Sequence, residues 1–142
     1  MKHTDKNCIF CKIIAGHIPA TKLWEDKDYF IMLDISPINP GHTLVIPKNH
    51  VPYIFDMEKR EYDRLMNKVR ETAIILKKTL KPKRIGIAVE GFAVPHTHVH
   101  LIPLNKGNEL NPERAKKMDS KKLNKIAEKI KKNGGKLTVK KP

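Results

Sequence analysis

Three histidines alternate along one short segment, His96-Thr97-His98-Val99-His100, in a chain of 142 residues that holds only seven. Val94-Pro95 precede the run and Leu101-Ile102-Pro103 follow it. The segment therefore reads as a β-strand, and a period of two sends the three imidazoles to one face. A strand face made only of histidine is a poor core. It can be a solvated edge, a metal clip, or a site that uses the imidazoles together.

The surrounding sequence supplies a sheet for this strand. Thr21 to Trp24 and Tyr29 to Leu33 read as strands joined by a polar turn from Glu25 to Asp28. Ser36-Pro37-Ile38-Asn39-Pro40-Gly41 is dense in turn formers, after which His42 to Ile46 alternates until Pro47 stops it. Arg84 to Val89 and Thr97 to Leu104 read as a hairpin with a tight turn at Gly91. Between the two sets the spacing predicts a helix from Met57 to Leu80, capped by Asp56 and closed by Pro82. Its apolar stripe of Tyr62, Leu65, Met66, Val69, Ala73, Leu76 and Leu80 covers a sheet and leaves Lys and Arg outside. Beyond Asn105 the pattern turns to short helices. Asn111-Pro112 is a cap with proline at the first helical position, and Leu123, Ile126, Ala127 and Ile130 form a face that stops near Gly134-Gly135. The expectation is an α+β fold: an antiparallel sheet with one long helix over residues 1–110, and a basic helical extension, 111–142, packed on it.

Length allows one domain with a substantial core. There is no run of 18 apolar residues and no charged-then-apolar leader, so membrane and secreted readings lack support and the cytoplasm is expected. The formal charge of +14 is uneven: residues 116–142 hold eleven lysines against Asp119 and Glu128. Lysine-rich ends are usually solvated, and no nucleic-acid-binding signature accompanies this one, so contact with RNA or DNA is the minority reading.

Chemistry points back to histidine. A neutral imidazole is a competent nucleophile at neutral pH when its other ring nitrogen is held as a donor. His98 has imidazoles on either side, at roughly 6 to 7 Å along a strand. His42 begins a strand after a Pro-Gly turn and can join the same face. Cys8 and Cys11 form a Cys-x-x-Cys that is either a redox pair or half of a zinc site, and the absence of a thioredoxin-like pattern favours metal. Zinc needs four ligands, and His50 with one member of the triplet is the natural remaining pair. No phosphate-binding glycine loop occurs, since Gly134-Gly135-Lys136 lacks the spacing, and no organic cofactor is expected.

His96-Thr97-His98-Val99-His100-Leu101-Ile102 resembles the His-φ-His-φ-His-φ-φ motif of the histidine triad (HIT) family, φ being apolar, with Thr97 as one polar replacement. The likeness extends over residues 8–104 through Phe10-x-x-Ile13-Ile14, Ile18-Pro19-Ala20, Asp34-Ile35-Ser36-Pro37, Pro40-Gly41-His42 and Leu44-Val45-Ile46-Pro47-Lys48-x-His50, which look like the Hint branch. The resemblance implies a homodimer that joins two sheets and cleaves a nucleoside monophosphate from phosphoramidate, phosphoanhydride or acyl-phosphate linkages. It implies His98 as nucleophile, His100 on the phosphate or leaving group, and His42 in support. It places a purine nucleotide against Asp34 at the ribose and Phe10, Ile13, Ile18 and Ile35 at the base. Zinc-bearing relatives match Cys8, Cys11, His50 and His96 as ligands, which removes His96 from direct catalysis. One departure stands out: Val89 and Ala93 occupy places where Hint-like sequences carry polar contacts. The alternative is a zinc-stabilised nucleotide- or RNA-binding module with little turnover.

Overall fold

The computed structural model describes residues 3–134. Five strands form one antiparallel sheet: β1 (Lys22–Glu25), β2 (Tyr29–Leu33), β3 (Thr43–Pro47), β4 (Arg84–Ala88) and β5 (Val99–Leu104), in the order β1-β2-β3-β5-β4. The long helix α2 (Lys59–Leu80) joins β3 to β4, α1 (Ile9–Ile14) precedes the sheet, and α3 (Ser120–Asn133) follows it. The architecture is the expected α+β sheet with one long helix.

β2 and β3 are buried along their whole length, so each presents two apolar faces. One face, Ile31, Leu33, Val45, Val99 and Leu101, meets Leu65, Val69 and Leu76 of α2 and Leu123, Ala127 and Ile130 of α3. The opposite face, Phe30, Met32, Leu44 and Ile46, meets Cys8, Phe10, Cys11 and Ile13 from the segment around α1. His100 pairs with Leu44 in register, which puts it on this second face, away from the long helix. The sheet thus has a structural side and a side that carries histidine.

Local chemistry corrects several expected boundaries. Asp56 lies in a short 3-10 turn, Ile54–Asp56, and does not cap α2; Glu58 holds that place without a side-chain bond. α2 closes at Lys81, which takes the left-handed conformation (φ 56°) ahead of Pro82. The β4–β5 connection is a loop over residues 89–98 in place of a tight turn, although Gly91 does sit at positive φ (89°). Strand β5 begins only at Val99. α1 carries no alternating or heptad pattern long enough to announce itself. Cys8 caps it, its Sγ accepting the Cys11 N–H.

Asn111 accepts from the Glu113 N–H, as the cap-proline pattern requires. Gly134 ends α3 against Trp24, where an added Cβ would overlap the indole. Gly135 and Lys136 lie outside the described residues.

Candidate active site

The three histidines of the motif have three separate fates, each decided by a backbone group. His96 Nε2 lies 2.8 Å from the Pro47 carbonyl. A carbonyl only accepts, so Nε2 carries the proton and the Nδ1 lone pair is bare. Nδ1 faces Cys8 Sγ at 3.3 Å, Cys11 Sγ at 3.6 Å and His50 Nδ1 at 3.0 Å, while Cys11 Sγ lies 3.5 Å from His50 Nδ1. Tetrahedral bonds of about 2.0 to 2.3 Å have edges of about 3.3 to 3.8 Å. The three contacts to sulfur lie in that range and the nitrogen–nitrogen contact is slightly shorter, so the donor set suits a tetrahedral zinc ion once the two imidazoles part by roughly a few tenths of an ångström. Two backbone N–H groups support the sulfurs: Cys11 N–H donates to Cys8 Sγ and Asp5 N–H to Cys11 Sγ, both at 3.4 Å. Burial pushes the Cys11 thiol up, and burial holds His96 down at about 4, neutral and ready to ligate.

His98 makes the opposite choice of nitrogen. Its Nδ1 lies 2.7 Å from the His96 carbonyl and therefore donates. Nε2 is left with a free lone pair. Phe10 meets this ring in a T-shaped contact, centroids 4.8 Å apart, and burial lowers the pKa below the usual histidine range.

His100 is oriented by a chain of donors. The Ile38 N–H donates to His42 Nδ1 at 3.0 Å, so neutral His42 must hold its proton on Nε2. That Nε2–H reaches His100 Nδ1 at 2.9 Å. His100 Nδ1 accepts, and its own proton sits on Nε2. Burial lowers His42, against the opposing charge of Asp34, and burial with the two neighbouring histidines pushes His100 down to about 4. Both are neutral at neutral pH. The result is a bare nitrogen on His98 beside an N–H donor on His100, with ring centroids 4.9 Å apart.

Asp34 accepts from the Ser36 N–H at 2.9 Å and its other oxygen lies 3.6 Å from His42 Nε2. Asp34, His42 and His100 are close enough to resemble a second metal site. The donor pattern rejects a cation there, because His42 Nδ1 already accepts from Ile38 and Nε2 must stay protonated. Only the Cys8, Cys11, His50, His96 set is wired for metal among the described residues.

The apolar candidates divide. Phe10 and Ile13 are buried in the second core with half-buried Ile18 packed on it, whereas Ile35 is 52 % exposed beside Asp34. Val89 lines an apolar hollow of about 250 Å³ with Tyr53, Phe55, Ile87 and Thr97, and Ala93 is exposed. The expectation of three imidazoles on one strand face is therefore corrected: His96 and His98 precede β5, and His96 turns to the cysteines. Thr97 stands at an apolar position of the motif because its hydroxyl donates to the Val51 carbonyl at 2.6 Å. The groups that sequence reasoning missed are the Pro47 and His96 carbonyls and the Ile38 N–H. Backbone groups leave no mark in composition or spacing.

A HIT domain model matches residues 15–107. Protein hit of Bacillus subtilis is 38 % identical over 108 residues, covering 71 % of this chain and 73 % of that protein. Adenylylsulfatase HINT3 of Arabidopsis thaliana is 31 % identical over 131 residues, covering 89 % and 66 %. Among solved structures, a Hit-like protein from Bartonella henselae superposes with a TM-score of 0.80 at 31 % identity, over 92 % of this chain and 99 % of that one. A Zn-bound histidine triad family protein from Mycobacterium smegmatis gives 0.78 at 26 % identity, over 94 % and 97 %. With the motif, the sheet and the histidine geometry in agreement with these likenesses, the chain belongs to the histidine triad (HIT) family.

Proposed function

We propose that this protein is a nucleotide hydrolase or transferase that cleaves a nucleoside 5′-monophosphate from a phosphoramidate or phosphoanhydride through a nucleotidyl-histidine. The observation that carries the reading is the tautomer pair: His98 Nε2 bare, His100 Nε2 protonated. His98 Nε2 attacks phosphorus and the bond to the leaving group breaks, while the His100 N–H stabilises the charge that develops there. Water then attacks the same phosphorus, releasing the monophosphate and restoring His98. Asp34 holds the ribose hydroxyls of a purine nucleotide, and Phe10, Ile13, Ile18 and Ile35 border the base.

Val89 and Ala93 offer the leaving group no polar side chain. The name of the HINT3 relative makes adenosine 5′-phosphosulfate a substrate to set beside adenosine 5′-phosphoramidate. Zinc, held by Cys8, Cys11, His50 and His96, is a structural staple that fixes α1 and the histidine segment. The edge strand β4, whose exposed Ile87 shares a hollow with exposed Tyr53 and Phe55, fits a second copy of the chain. Buried paired thiols suit a reducing cytoplasm.

The test is intact-protein mass spectrometry during turnover of both adenylates. Parent protein should show a transient adenylyl adduct. His98→Ala should show none and should lose turnover by at least about 10³-fold while still binding nucleotide. Turnover within a few-fold of the parent in that variant refutes the mechanism. Tight nucleotide binding by the parent with no adduct and no turnover favours the binding-module alternative.

A further inference from the structure

We propose that Arg114 is a positioning residue for the histidine pair, acting through the loop that sets the tautomer of His42. The inference rests on the reading of His100 as the donor in the proposed reaction. The segment from Arg114 to Met118 runs along the 35–39 loop and grips it three times. Met118 N–H donates to the Ile35 carbonyl at 2.9 Å, Lys116 N–H to the Pro37 carbonyl at 3.3 Å, and the Arg114 guanidinium to Asn39 Oδ1 at 3.0 Å.

The middle contact matters most. The Pro37 carbonyl and the Ile38 N–H belong to one peptide unit, and a planar trans peptide points them in opposite directions. Holding the oxygen from one side aims the N–H at His42 Nδ1 on the other. Accepting at the oxygen also strengthens the N–H as a donor.

Arg114 anchors this grip at both ends. Its other nitrogen donates to the Glu109 carbonyl at 2.9 Å, and Asn39 passes the hold onward through Nδ2 to the Pro103 carbonyl of β5 at 2.8 Å. The Asn39 carbonyl also accepts from the His42 N–H at 3.1 Å. One guanidinium thus ties together the C-terminal segment, the turn before His42 and the strand that carries His100. The segment lies beyond residue 107, outside the part of the chain that the family model matches.

If the grip is released, the Pro37–Ile38 peptide can rotate and His42 can move its proton to Nδ1. Its bare Nε2 would then face the bare Nδ1 of His100, and the donor alignment is lost. Arg114 touches no nucleotide in this scheme, so the defect falls on kcat.

Arg114→Ala and Asn39→Ala are the two variants; the second leaves the Arg114–Glu109 bond in place and guards against simple undocking of the segment. Both should lower kcat about 10-fold or more, with KM for the nucleotide within about 3-fold. Arg114→Lys, which can satisfy one of the two partners, should recover part of the loss. In a His42→Ala background, Arg114→Ala should have no further effect on kcat. Ring ¹⁵N NMR should show one His42 tautomer in the parent and a mixture in both variants. Unchanged kcat with a single tautomer, or an equal loss of kcat in the His42→Ala background, overturns the proposal. A parent protein that turns over neither adenylate refutes the proposed function instead, and the NMR result still decides the tautomer question.

Discussion

Gly41→Ala is the substitution whose cost can be worked most directly from the backbone. Gly41 closes the turn before His42 at φ 93°, in the left-handed half of the map, where a Cβ costs roughly 1 to 2 kcal/mol. The same Cβ would overlap Leu80 Cδ1 at the end of α2 and stand 3.2 Å from Pro103 Cγ. Overpacking of that kind costs about 1 to 3 kcal/mol. The two contributions give a destabilisation of about 2 to 5 kcal/mol, which for a chain of this size lowers Tm by about 4 to 20 °C.

Urea denaturation at constant m-value measures it, and a double-mutant cycle with Leu80→Ala separates the parts. With Leu80 trimmed the overlap with its Cδ1 disappears, and backbone strain remains together with the milder Pro103 contact. The cycle should return a coupling of about 1 to 3 kcal/mol. A Gly41→Ala protein within about 0.5 kcal/mol of the parent refutes the whole argument. A full loss with zero coupling refutes the steric half alone.

Metal removal should act on the N-terminal segment first: Cys8→Ala should bind under about a tenth of an equivalent of zinc and lose upwards of about 2 kcal/mol, with cleavage by protease appearing before residue 15. If the β4 edge seats a second copy as proposed, Ile87→Lys should halve the mass seen by sedimentation equilibrium; an unchanged mass refutes that contact. Acid should destabilise the fold through His100. Its pKa falls from 6.5 in the open chain to about 4 in the fold, mainly by burial, so the unfolded state binds the extra proton between those values. That stability is complete above pH 6.5 and is lost as pH falls toward 4. The unfolding midpoint of His100→Gln should be flatter across this window than that of the parent, and equal slopes count against the argument.

Strand positions were legible because their physics is local. Tyr29 to Leu33 and the alternation after Gly41 needed only period and punctuation, and the stripe on α2 needed only a 3.6-residue repeat. α1 was not legible, because it spans six residues and its Cys-x-x-Cys speaks of chemistry before it speaks of helix. Asp56 misled for a related reason. Any Asp ahead of an apolar periodic run looks like a cap, and here a 3-10 turn absorbs it ahead of the cap position at Glu58. The candidates His42, His50, Cys8 and Cys11 were picked out from spacing and resemblance, and the structure places Cys8, Cys11 and His50 beside His96 and places His42 beside His100. Arg114 and Asn39, on which the further proposal rests, were not picked out, since an arginine and an asparagine in loops carry no pattern.

The late start of β5 links the motif to its chemistry. Had the strand run from His96, the alternation would have sent all three rings to one face at even spacing, and each backbone carbonyl would have been spent on a neighbouring strand. Because residues 96–98 precede the ladder, the His96 carbonyl is free to accept from His98 Nδ1. The His96 ring is free to turn toward the cysteines, with its Nε2–H on Pro47. His100, one pair into the strand, is held by the β3 register against Leu44 and by His42. The same residue type thereby offers a lone pair turned on two thiols, a lone pair left free and an N–H donor within five positions. What distinguishes the three is the partner each ring meets: the Pro47 carbonyl, the His96 carbonyl, or His42 held by the Ile38 N–H.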